Sequence, residues 1–270
     1  MIDERICDPT LRAYHVGFDG GEFRLIPLVE TIRKVIPEFA LGYHEGIAIP
    51  LNEVVERLQE AAQVVYTTDK YQQRGEFGEL ILHLLLRDFC GTLPLISKIY
   101  FKDSTNVAAH GFDAVHVTSD GPKKLWLGES KLYKDGIDGV RNLAKDVAKH
   151  VTGGFLRREF ILIKRRLPQS FPDVDYWRQL MEGSTRLDEV FDQLVVPMVA
   201  TYNSSLFVGH HKESKQYFDA FSIECQALHS DFFSRLRSSK AEVILFLLPV
   251  EDKDRLIEEL DKRLKRIQGI

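Results

Sequence analysis

The chain has 270 residues, 44% hydrophobic and 28% charged, with a net charge of −4 at neutral pH. That is the composition of an ordinary globular protein, long enough for one large core or a core with an appended smaller unit, with no need of a disulfide or metal staple. Cys7, Cys90 and Cys225 lie far apart with no Cys-x-x-Cys spacing, which argues against zinc-finger chemistry and a disulfide framework. The N-terminal stretch MIDERICDPT lacks the basic and apolar regions of a secretory signal, and LILHLLL is too short to span a bilayer. The expectation is a soluble, cytoplasmic protein with no membrane partner.

In chain order, residues 22–40 alternate apolar and polar only weakly and are punctuated by Pro27 and Pro37. Val54, Val55, Leu58, Ala61, Ala62 and Val65 recur at helical spacing and predict a helix over 51–66. A second, mostly buried helix is expected over 75–89. Residues 96–101, 111–117 and 125–133 read as strands, the last two joined by the turn signal SDGPKK into a hairpin. Residues 136–151 read as a helix and 159–164 as a short apolar run of either type. Residues 194–204 read as a strand whose Pro197 suits an edge or a strand entry. A helix over 212–236, a strand over 242–250 and an amphipathic closing helix over 251–267 follow, the last acidic at its start and basic at its end. The fold class is α/β or α+β, with a central mixed sheet flanked by helices. Residues 1–69 read as an N-terminal addition and possible partner interface. Residues 70–270 read as the main domain, with its motifs in 70–165.

Charge is unevenly placed. Residues 123–166 carry twelve Lys/Arg and five Asp/Glu, a net +7 against −11 over the rest. Such a segment is either a local polyanion site or a solvated basic face.

The stretch LWLGESKLY (125–133) places Glu129 and Lys131 in an otherwise apolar strand. Alternation puts both on one face with Leu125, Leu127 and Tyr133, leaving Trp126, Ser130 and Leu132 on the other. Folding the hairpin about Gly121 sets position 117 opposite 125 and Asp113 opposite Glu129, so Asp113, Glu129 and Lys131 are expected to converge. Two close carboxylates repel, and a divalent cation relieves that better than one lysine. The ordinary alternative is a structural ion pair of Lys131 with either acid. On the preceding helix, Glu76, Glu79, His83 and Arg87 form one ionisable stripe. Glu79–His83 is by itself a common helix-surface pair.

A helical Glu79, then Asp113 in GFDAV, then Glu129 and Lys131 in GESK, in the order helix–strand–strand–strand–helix, resembles the PD-(D/E)XK nuclease core over residues 70–165. Phe112 stands where that motif commonly has proline. More closely, GEFGELILHLLL, HGFDAVHV and LWLGESKLY resemble the HamA family, the nuclease subunits of the Hachiman antiphage defence system.

The resemblance implies a Mg²⁺- or Mn²⁺-dependent nuclease that cuts DNA when a superfamily 2 helicase partner, HamB-like, senses aberrant DNA. It implies Asp113 and Glu129 as metal ligands, with Glu79 as a further ligand or water orienter. Lys131 would position the attacking water, and His83 and Glu76 would support from behind. Lys134, Arg141, Lys145 and Lys149, the last three on one helical face, are the candidates for tracking a phosphate backbone. A gated or inert subunit that binds DNA or the helicase is the alternative. A restriction-type endonuclease is a further one, though no helix-turn-helix or zinc module is evident to read a sequence.

Overall fold

A computed structural model of the chain describes residues 2–65, 75–97, 111–236 and 239–269. It opens with a hairpin of β1 (Asp3–Cys7) and β2 (Leu11–His15), then a two-strand turn of β3 (Phe18–Asp19) and β4 (Glu22–Phe23). Three helices follow, α1 (Leu25–Arg33), α2 (Ile36–Ile47) and α3 (Val54–Val65). The weak alternation over 22–40 therefore belongs mostly to helices, from Leu25 onward. Pro27 and Pro37 lie in the first turns of α1 and α2, where the missing N–H costs nothing.

The central unit is α4 (Glu76–Cys90), β5 (Thr92–Ser97), β6 (Ala114–Thr118), β7 (Leu125–Tyr133), α5 (Gly136–His150), α6 (Gly153–Arg166), α7 (Val174–Leu180), α8 (Leu187–Phe191) and β8 (Leu194–Asn203). The chain closes with α9 (Leu206–Gly209), α10 (Lys215–Arg235), β9 (Glu242–Val250) and α11 (Lys253–Gln268). Gly91 terminates α4 in the left-handed conformation. The first strand of the predicted trio accordingly begins at Thr92 rather than Ile96, and residues 98–101 lie outside the described residues. The apolar run 159–164 is helical, within α6.

Seven strands form one mixed sheet in the order β1-β2-β9-β8-β7-β6-β5. The pairs β2–β9, β9–β8 and β8–β7 are parallel, while β1–β2, β7–β6 and β6–β5 are antiparallel. The N-terminal hairpin thus joins the same sheet through β2–β9.

Pro197 corrects an expectation: its strand, β8, is central, with β7 on one side and β9 on the other. The proline is tolerated because β7–β8 pairing passes from Trp126–Val195 to Glu129–Met198, leaving Gly128 opposite Pro197 unpaired. A side chain at Gly128 would be crowded. A Cβ there would lie 3.1 Å from the Pro197 ring and 3.0 Å from Leu82.

Helices cover both faces of the sheet. Leu82 of α4 packs at Gly128 and Gly78 at Ser130, so α4 covers the even-numbered face of β7. Gly139 of α5 packs at Tyr133 and Ala200, so α5 covers the odd-numbered face. Burying the apolar stripes of α4 and α5 on Leu125, Leu127, Val195 and Leu245 makes one continuous core. No described helix is long and apolar enough to cross a membrane.

Candidate active site

Two pairings set the geometry. Val117 faces Leu125 in the β6–β7 ladder, and the Asp113 N–H donates to the Gly128 carbonyl at 2.8 Å. Asp113 therefore stands one residue before β6, beside Glu129, as the hairpin arithmetic predicts. Because it precedes the first laddered residue, strand alternation does not dictate its direction. Its Oδ2 accepts from the Ser130 N–H at 2.8 Å and the Ser130 hydroxyl at 2.9 Å. Ser130 points to the α4 side, as its parity requires, yet it holds Asp113. Asp113 and Glu129 are both buried.

These groups feel one another. Burial, then the nearby Asp113, pushes the Glu129 carboxyl up to about 7. Burial works against the Lys131 ammonium, but its ion pair with Asp146, helped by Glu129 and Asp113, outweighs that and raises its pKa.

Two residues that the sequence did not single out complete the cluster. Asp146 Oδ2 lies 2.7 Å from Lys131 Nζ, and His150 Nδ1 lies 2.7 Å from Glu129 Oε1. They stand four apart on α5, above two residues that stand two apart on β7. The only signal in the sequence is that spacing within DVAKH. The His150 ring is stacked on Phe155 at 4.3 Å and meets the edge of Phe112 at 5.5 Å. Buried Glu159 lies near His150, its carboxyl held above the usual range by burial.

The α4 residues behave differently from expectation. His83 does not serve Glu79: its Nδ1 is 3.1 Å from His116 Nε2, and its Nε2 is 3.6 Å from Glu38 of α2. Arg87 also reaches Glu38, and His116 reaches Thr92. This buried chain ties α2 and α4 to β5 and β6. Glu76 and Glu79 are buried on α4, the helix on the side of the sheet opposite α5. Among the described residues, no group of three His, Cys, Asp or Glu is arranged to hold a metal ion. Glu79 is thus not gathered with Asp113 and Glu129 into one three-carboxylate set. The two remaining carboxylates fit Mg²⁺ or Mn²⁺ by their chemistry, since such ions take one or two carboxylates and fill their other positions with water and phosphate oxygens. A cation there would also offset the Asp113 repulsion that adds to burial in raising Glu129.

The model of the HamA family matches residues 2–264. The chain belongs to the HamA family. HamA proteins are components of the Hachiman antiphage defence system, which has other subunits. A search of curated proteins returns no match.

In this HamA chain the basic segment is partly neutralised from elsewhere. Arg141 forms two bonds to Asp231 of α10, Lys134 pairs with Asp254 of α11, and Lys164 with Glu182. Lys123 pairs with Asp173, and Arg157 donates to the Glu182 and Thr185 carbonyls. Lys145 and Lys149 are exposed and, among the described residues, form no ion pair. Of the four candidates for phosphate contact, Lys134 and Arg141 form ion pairs and Lys145 and Lys149 form none among the described residues.

Proposed function

We propose that this HamA protein is a metal-dependent DNA nuclease, the effector of its defence system, acting with a superfamily 2 helicase subunit. The observation that carries the reading is that Asp113 stands beside Glu129 at the β6–β7 hairpin, with Asp113, Glu129 and Lys131 near enough to influence one another electrostatically. The order α4–β5–β6–β7–α5 around it is the helix–strand–strand–strand–helix arrangement of the likeness to PD-(D/E)XK nucleases.

Asp113 and Glu129 are the residues to hold Mg²⁺ or Mn²⁺. Ser130 fixes Asp113 from behind. The ion, when bound, supplies polarisation of the phosphodiester and a bound water of lowered pKa. Lys131, whose charge is felt by both acids, would orient the attacking water and offset charge gathering on the phosphate oxygens. Lys145 and Lys149 supply backbone contacts that carry no sequence preference.

The Lys131–Asp146 pair favours a second feature, a site held closed until a partner or substrate draws Lys131 away. The test is plasmid cleavage with Mg²⁺, Mn²⁺ or EDTA, with and without the helicase subunit and ATP. Wild type is compared with Glu129→Gln and Lys131→Ala. Metal-dependent cleavage lost in both variants is the expected result. No cleavage under any condition, with well-folded protein, leaves a subunit that binds DNA or the helicase without cutting.

A further inference from the structure

The α5 helix brings a histidine to Glu129 that neither the motif nor the proposed chemistry uses. We infer that His150 is a positioning residue of the site: it holds the Glu129 carboxylate in the one orientation that serves a divalent cation. The inference rests on the reading of Asp113 and Glu129 as cation ligands.

Three observations carry it. His150 Nδ1 lies 2.7 Å from Glu129 Oε1, well within ion-pair distance. Its use of Oε1 leaves the carboxylate's second oxygen for a ligand. The imidazole is itself packed in an aromatic cluster, stacked on Phe155 at 4.3 Å with a 16° tilt and in edge contact at 5.5 Å with Phe112, the residue before Asp113. Finally, the platform is rigid. Asp135 caps α5 by accepting the Asp138 N–H, and Val140, Leu143, Ala144 and Val147 are buried beneath it. His150 therefore ties α5, the Phe112–Asp113 segment and β7 to one point.

Removing the hydrogen-bonding partner of a metal-bound group typically costs 10- to 100-fold in metal affinity or activity. The experiment is Mn²⁺ binding to the full-length chain, read by electron paramagnetic resonance of the free ion and by calorimetry, independently of cleavage. His150→Asn keeps a donor near the Nδ1 position and loses the stack. His150→Phe keeps the stack and loses the donor. Expected is wild-type-like Mn²⁺ affinity in H150N and a loss of about 10-fold or more in H150F, both folded by circular dichroism. Should H150F not fold, His150→Ala is titrated with and without added imidazole, which is expected to restore Mn²⁺ affinity.

Wild-type affinity in H150F, equal losses in H150N and H150F, or no rescue by imidazole overturns the inference while leaving the nuclease reading standing. Absence of any Mn²⁺ binding that Glu129→Gln abolishes overturns the cation site, and the inference with it.

Discussion

Asp113 and Ser130 are joined twice: one carboxylate oxygen accepts both the backbone N–H and the hydroxyl of the serine, at 2.8 and 2.9 Å. The serine hydroxyl also limits what α4 can carry, because a Cβ at Gly78 would lie 3.1 Å from it. Ser130→Ala is expected to cost about 1–3 kcal/mol, since the pair is buried and one of two bonds to the acid is lost. Gly78→Ala alone should destabilise by crowding that hydroxyl. In the S130A background the nearest atom is Cβ, at 3.5 Å in the native chain, and the usual advantage of Ala over Gly in a helix, about 1 kcal/mol, should emerge. Denaturant unfolding of the four proteins gives the coupling. An identical effect of G78A in both backgrounds would count against the contact.

The raised Glu129 carboxyl makes stability depend on pH. Its folded pKa of about 7 lies above its ordinary 4.5, so the folded chain holds the proton more tightly than the unfolded one. The associated stability is fully present below about 4.5 and is lost as pH rises through about 7. Glu129→Gln removes a titrating group and mimics the protonated form. In EDTA, its stability relative to wild type should rise across that window by on the order of 3 kcal/mol. Parallel unfolding curves for the two proteins from pH 4.5 to 8 would contradict this.

Much of the site was legible because it is local. A period of two fixes which side of β7 Glu129 and Lys131 share, and one turn fixes what lies opposite. The helices α3, α4, α5, α10 and α11 were legible too, α3 and α4 from apolar spacing and α11 from its amphipathic pattern and the charges at its ends. What escaped depends on contacts distant in the chain. Glu38 lies 45 positions before His83 and claims a nitrogen that the local i,i+4 rule would give to Glu79. Asp146 and His150 become site residues only once α5 lies across β7. The N-terminal hairpin was missed because β1, at the sheet edge, carries no apolar stripe. Pro197 misled because the rule that keeps proline out of central strands assumes a full ladder on both sides, and Gly128 suspends it.

That last relationship has its own test. Gly128→Ala adds a methyl group 3.0 Å from Leu82 and 3.1 Å from Pro197, between packed side chains. Overpacking of this kind costs about 1–3 kcal/mol. Leu82→Ala removes the nearer obstacle, so the double variant should be less destabilised than the sum of the two single changes. Thermal unfolding of the three variants measures it, and simple additivity would show that the crowding is relieved by backbone movement instead.

The basic residues separate into two groups with different expected signatures. Arg141 is bound to Asp231, whose carboxyl is held at about 2 by Arg235 and Arg141. Arg141→Ala should loosen the packing of α5 on α10 and leave the salt dependence of DNA binding unchanged. Lys145 and Lys149 are exposed on the same helix without an ion pair among the described residues. Each one changed to alanine should weaken DNA binding regardless of sequence and reduce the slope of log affinity against log salt by about 0.9, the release of one phosphate contact on duplex DNA. Fluorescence anisotropy with a labelled duplex across a salt series reads both effects. A changed slope for Arg141→Ala with none for the lysines would reverse the assignment. It would mean that the Asp231 pair opens when DNA arrives and that the exposed lysines are only a solvated face.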